Sequence, residues 1–211
     1  MLFDFIAAMS GTGKFLYVNG REYSPLTKGI TIESYNPGSV VRNTGKYLEI
    51  TTEPESLFDQ YAAPSPEFLW DTPIDVTRLN KICIEVARCD VTPGNLSYTQ
   101  RNLFGVTAEW MFDKNGHVKN TVDAVTGKGR TMFLTQKYVL DGGTNSVGQP
   151  TGYHEYIPVT GGAYVEVPKT ETPQLIEIDV SGLTGKVYLG FESQNFLKNG
   201  HQILISKIYT E

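Results

Sequence analysis

The chain predicts an all-β fold, an antiparallel β-sandwich, and three observations carry that prediction. Residues 173–191, PQLIEIDVSGLTGKVYLGF, hold two runs of alternating apolar and polar residues about the turn-rich Ser181-Gly182-Leu183-Thr184-Gly185, and residues 201–211 add a third run. Alternation with a period of two gives a strand one face for a core and one for water. Composition agrees: glycine, proline, tyrosine and phenylalanine are frequent and only 19% of residues are charged, the profile of strands and loops. Finally, 211 residues suit one large sandwich without a split into domains.

Taken in order, residues 1–13 read as an N-terminal arm and hinge, and residues 14–211 as a single sandwich domain. The arm, MLFDFIAAM, carries Leu2, Phe3, Phe5 and Ile6, which would be an exposed liability on a monomer and so suggest docking on a neighbouring subunit. It lacks a basic leader, contains Asp4 and is too short to cross a bilayer, so neither a signal peptide nor membrane insertion is expected. After the hinge comes FLYVNG, in which Asn19-Gly20 marks a hairpin turn. Strands are expected at 29–34 and 46–51. Residues 53–73, with Pro54, Pro64, Pro66, Pro73 and Phe68-Leu69-Trp70, read as a long ordered connection, with room for one short helix over 54–61.

The clearest central strand spans 80–90, with Ile82, Ile84 and Val86 on one face and Cys83, Glu85 and Ala87 on the other. Cys83 and Cys89 on this strand would stand about 20 Å apart, too far for a disulfide, and are expected as free, buried thiols; that weighs toward synthesis in a reducing compartment. Strands follow at 103–112, placing Trp110 in the core, and at 131–140. Asp113-Lys114-Asn115-Gly116 reads as a turn. Residues 142–162 form a second long, turn-rich segment, and 163–167 a short strand.

Charge excludes one class of partner. A net charge of −5 with scattered lysines and arginines offers no basic face for nucleic acid. Ser10-Gly11-Thr12-Gly13-Lys14 has Ala8 and Phe15 where a phosphate-cradling loop needs glycine and Ser or Thr, so it reads as a hinge. His117, His154 and His201 have no zinc spacing, Asp113 and Asn115 lack the rest of a calcium loop, and no GxSxG elbow occurs. No cofactor or metal is expected. Glu85 and Glu109 are the pair that glycoside hydrolysis could use, although acidic side chains on an outward strand face are ordinary.

Binding through aromatics is the remaining chemistry. Sugar rings present apolar C–H faces fringed by hydroxyls, which suits aromatic platforms beside amides. Trp70, Tyr153 and Tyr156 are the candidate platforms, with Asn145, Gln149 and His154 as polar neighbours. The plain structural reading is that they pack loops against the sandwich or against another subunit.

Several stretches also resemble a known family. Residues 15–50 (FLYVNGREYSPLTKGITIESYN, then VRNTGKYLEI), 73–86 (PIDVTRLNKICIEV), 176–192 (IEIDVSGLTGKVYLGFE) and the closing HQILISKIYTE are similar to the galactose-binding-like jelly-roll modules of tailed-bacteriophage virion proteins. The resemblance implies a jelly roll in a tail, baseplate, collar or head fibre, with no catalytic residues. On that basis the expectation is a non-enzymatic virion structural protein, made in the host cytoplasm and located in the virion. Its partners would be other virion proteins, copies of itself as a trimer or higher homo-oligomer, and a host-surface glycan. The alternatives are a carbohydrate-binding module or adhesin proper, and an enzyme degrading polysaccharide through Glu85 and Glu109. Residues 53–73 and 142–162 exceed the minimal module.

Overall fold

Two-residue periodicity becomes two facing antiparallel sheets in the computed structural model, which describes residues 14–22, 30–33, 39–52, 67–90, 102–114, 122, 130–193 and 202–211. Numbered along the chain, the first sheet holds β1 (Lys14–Val18), β2 (Arg21–Glu22), β4 (Ser39–Asn43), β5 (Leu48–Thr52), β8 (Lys81–Cys89), β13 (Gln174–Asp179) and β15 (Gln202–Thr210). The second holds β3 (Ile30–Glu33), β6 (Glu67–Trp70), β7 (Ile74–Asp75), β9 (Asn102–Thr107), β12 (Ala163–Glu166) and β14 (Lys186–Ser193). A separate two-stranded hairpin is made by β10 (Leu134–Thr144) and β11 (Pro150–Pro158). The chain passes repeatedly from one sheet to the other, as a jelly roll requires. No helix occurs among the described residues.

The closing strand β15 lies inside the first sheet, between β8 on one side and β1 and β5 on the other. Its inward Ile203, Ile205 and Ile208 meet Ile82, Ile84 and Val86 of β8, and the second sheet answers with Phe68, Trp70, Phe104, Val106, Leu189 and Phe191. Phe191 lies between Phe68, 5.7 Å away, and Phe104, 5.0 Å away, and Trp70 meets Phe68 edge-on at 5.1 Å. Burying each such side chain is worth about 1.5–3 kcal/mol. The Asn19-Gly20 turn joins β1 to β2 with both residues at positive φ, 44° and 87°. A Cβ on Gly20 would stand 2.1 Å from the carbonyl oxygen of Gly45, so the two turns can meet only because the side chain is missing.

Some elements differ from expectation. The segment 53–73 is not one connection, because Glu67–Trp70 is strand β6, hydrogen-bonded between β3 and β14. Phe68-Leu69-Trp70 is apolar without alternation because the strand is covered on both faces: Phe68 and Trp70 face the inter-sheet core and Leu69 a second cluster behind it. The strand expected at 103–112 ends at Thr107, and Trp110 sits half-buried in that second cluster, edge-on to Tyr188 at 5.2 Å and Phe112 at 5.8 Å. In β8 the expected faces hold through Val86; Ala87 is then extra in the register against β15, and this bulge turns Cys89 into the core. Cys83 and Cys89 are both buried and free. The arm and hinge at 1–13, the short helix at 54–61, Asn115-Gly116, His117 and His201 lie outside the described residues.

Candidate functional site: a projecting hairpin

The back of the second sheet supplies the mount. Gly105 of β9 and Gly190 of β14 stand directly opposite each other; the ring of Phe133 fills the space left by the absent side chain of Gly105 and reaches Gly190, whose vacant side is filled first by the Phe68 carbonyl oxygen and Leu69. A Cβ on Gly105 would lie 2.5 Å from Phe133 Cγ, and one on Gly190 3.2 Å from Phe133 Cζ. Around this plug lie Leu69, Leu103, Met111, Phe112, Met132 and Leu134. Polar groups lock the same segment: buried Glu192 accepts the Met132 N–H through Oε2 at 3.0 Å, and the Val159 N–H donates to the Phe133 carbonyl at 2.9 Å. Arg130, 2% exposed in its side chain, donates to Glu109 Oε2, Thr107 Oγ1 and the carbonyls of Thr131 and Met132.

From this mount β10 and β11 leave the sandwich. Leu134 and Thr135 are buried, and from Lys137 outward β10 is half-buried or exposed. Eight further residues to Asn145 carry the ribbon roughly 20 Å outward. Among the described residues neither strand belongs to another sheet. The ladder is regular from Leu134↔Pro158 to Leu140↔Gly152 and then slips, leaving residues 141–143 as a bulge. Asp141 holds the bulge by accepting the Gly143 N–H at 2.8 Å and the Thr151 hydroxyl at 2.7 Å, and these bonds hold its carboxyl below the usual carboxylate pKa. At the tip, Asn145 Oδ1 accepts the N–H groups of Val147 and Gln149 at 3.1 and 2.9 Å.

The hairpin concentrates exposed apolar surface. Six large hydrophobic residues are exposed among those described, and four belong to it: Tyr138 (45%), Leu140 (62%), Val147 (76%) and Tyr153 (57%). The ring of Tyr138 lies across the vacant side of Gly152. A two-stranded ribbon has little core of its own, so apolar residues on it stay exposed.

Five of the six proposed glycan contacts therefore share one element, though not one surface. Tyr153 and Tyr156 are three residues apart on β11, so period two puts them on opposite faces; Tyr153 is exposed and Tyr156 packs on the cluster under the hairpin. His154 pairs with Tyr138 in the ladder. Asn145 spends its side-chain oxygen on the turn, and Gln149 closes that turn through its backbone. Trp70 must be removed from the set: it is fully buried in β6, so no ligand at the surface can stack on it. The sequence reading took 142–162 as loop because Gly142, Gly143, Asn145 and Gly148 look like turn residues. Alternating runs on both sides, LTQKYVL and TGYHEYIP, were the available sign of the hairpin, and with it of Tyr138, Leu140 and Val147.

The acidic pair does not form a site. Glu85 lies on the outer face of the first sheet and Glu109 behind the second, beside Thr107 and Arg130, with the sandwich between them. Glu85 is met by Lys207 Nζ at 2.7 Å and Ser206 Oγ at 2.5 Å; burial pushes its carboxyl pKa up, and these bonds outweigh burial and leave it lowered. Other carboxylates of that face are likewise engaged, with Lys81 on Glu177 at 2.9 Å and Arg42 and Gln202 both donating to Glu49. Burial raises the pKa of Cys83, and it raises that of neighbouring Tyr209 to about 12. No cluster of three or more metal-ligating side chains occurs among the described residues.

No family model and no curated protein matches the chain. Among solved structures, a carbohydrate-binding module of family 29 aligns over 94% of this chain and 87% of its own, with 10% identity and a TM-score of 0.40. The K2 cleaved adhesin domain of Lys-gingipain aligns over 94% and 99%, with 12% identity and a TM-score of 0.39. The Endo-D glycoside hydrolase domain from Streptococcus pneumoniae R6 aligns over 85% of this chain but 21% of its own, with 13% identity and a TM-score of 0.40. Likeness of this degree says nothing about ligand or activity.

Proposed function

We propose that this protein is a non-catalytic adhesive domain that binds carbohydrate through the projecting β10–β11 hairpin. The observation that supports this reading is the exposure of Tyr138 and Tyr153 on an element held away from the sandwich by the Phe133 mount. A tyrosine ring stacks on the C–H face of a sugar while its hydroxyl bonds the sugar hydroxyls. The test is a glycan array followed by titration of the bound sugars. Tyr153→Ala should weaken binding about 3- to 10-fold, as expected for one aromatic contact of about 0.5–1.5 kcal/mol, with an unchanged melting temperature. An array on which the wild-type protein binds nothing would end the proposal.

A second reading, a structural component of a bacteriophage particle, rests on the family resemblance of the sequence and requires a protein partner for the hairpin. Leu140 and Val147 are exposed aliphatics, and these are covered better by a protein partner than by a sugar. Mass spectrometry of purified particles from a phage that encodes the chain should then detect it in stoichiometric amount. Its absence from the particle would retire the reading.

A further inference from the structure

The β10–β11 ladder sorts the two exposed tyrosines of the hairpin onto opposite faces. Directly opposed residues of an antiparallel pair share a face, and successive residues of one strand alternate between faces. The pair Leu140↔Gly152 therefore lies on the face of Tyr138, whereas Val139↔Tyr153 and Lys137↔Glu155 lie on the other. The ring of Tyr138 is the direct sign of the first grouping, since its Cζ would stand 2.9 Å from a Cβ on Gly152. The ladder runs without a shift from Leu134 to Leu140, so no bulge exchanges the faces between these residues.

We infer that the hairpin carries two separate sugar sites, one on each face, with Tyr138 the platform of one and Tyr153 the platform of the other. This rests on the reading of the hairpin as the carbohydrate-binding element and fixes how many sugars it holds and where. Tyr138 is 45% and Tyr153 57% exposed, so each ring has surface to offer. Side chains on the two faces of a ribbon project in opposite directions. A pyranose stacked on one ring has the ribbon's own backbone between it and the other ring.

Each platform has a backing of its own. Tyr138 lies across the vacant side of Gly152, with exposed Leu140 next to it on the same face, which makes a low apolar surface for the C–H face of a sugar. Tyr153 stands opposite half-buried Val139, and the next pair along that face is Lys137 and Glu155. Their ion pair is long, 4.0 Å, and both are exposed, so a donor and an acceptor stand within reach of the hydroxyls of a sugar on Tyr153. Rings that rest on the ribbon before the sugar arrives lose little freedom on binding.

The consequence is that one chain holds two glycan strands at once, one above the ribbon and one below it. Two weak contacts on one rigid element then act together on a glycan-coated surface.

The test uses sugars small enough to touch one ring only: the methyl glycosides of glucose, galactose, mannose and N-acetylglucosamine. The full chain is labelled with 3-fluorotyrosine, the fluorine signals of Tyr138 and Tyr153 are assigned with Tyr138→Phe and Tyr153→Phe, and each signal is followed through a titration. Both signals should move to saturation. Tyr138→Ala should leave the midpoint of the Tyr153 curve within about twofold of the wild type, and Tyr153→Ala should do the same for Tyr138, as expected of independent sites; the melting temperatures of both variants should be unchanged. Movement of the Tyr153 signal alone would overturn the inference and leave Tyr138 as a cover for Gly152, with the carbohydrate reading intact. Loss of either ring abolishing the response of the other would also overturn it, by showing one shared site. If none of the four sugars moves either signal, the carbohydrate reading fails and this inference with it.

Discussion

Phe133 and Gly105 allow a sharp test of how the hairpin is held. Phe133 is fully buried and its ring occupies the hollow that Gly105 leaves on the back of the second sheet, with its Cζ reaching Gly190. Phe133→Ala empties that hollow and should cost about 3–5 kcal/mol, the range for a buried Phe→Ala change. Gly105→Ala does the reverse: its Cβ would lie 2.5 and 2.7 Å from Phe133 Cγ and Cδ1, so the ring must move, at about 1–3 kcal/mol for overpacking. Combining the two substitutions decides the matter. With the ring gone, the new Cβ still meets the Ala163 carbonyl oxygen at 2.9 Å, so the part of the Gly105→Ala cost owed to the ring should vanish and the part owed to that backbone contact should remain. The predicted coupling is about 1–2 kcal/mol in favour of the double variant, within the usual range for residues in contact. Urea unfolding of the four proteins measures it, and hydrogen exchange on residues 134–158 shows whether the hairpin loosens first. Additive costs would refute the lock between ring and glycine.

Two further outcomes follow from the first sheet. Hydrogen bonds and charge from Lys207 and Ser206 leave Glu85 titrating below its ordinary value of 4.5, so the pair stabilises the fold above about pH 4.5 and loses that contribution as pH falls through the lowered value. Glu85→Gln should therefore cost about 0.5 kcal/mol at pH 7, a partly exposed pair, and less than that below pH 4, as measured by urea midpoints across pH; a cost that grows on acidification would contradict the assignment. Cys83 and Cys89 are buried and burial raises the Cys83 pKa, so neither should react with a thiol reagent at pH 8 until urea unfolds the protein; fast labelling of Cys89 in the native protein would show the bulge at Ala87 to be misplaced.

What could be read before folding was whatever depends on residues near one another in the chain. Alternation at 82–86, 176–180 and 203–205 identified strands with an inward aliphatic face, and Asn19-Gly20 identified its own turn, because both signals arise from local backbone geometry. The burial of Cys83 and Cys89 agrees with what the residue type suggests, although the bulge that turns Cys89 inward depends on the register against β15. What could not be read depends on partners distant in sequence. Trp70 looked presentable among prolines, yet β3 and β14, which take its strand into the second sheet, come from residues 30–33 and 186–193, and the core between the sheets covers its ring. The hairpin looked like loop because a bulge held by Asp141 imitates a turn. Its mount joins Gly105, Phe133 and Gly190, which no local pattern links. A strand's existence follows from the alternation of its own side chains, whereas which side chains end up covered is decided by the neighbours the sheets bring against them.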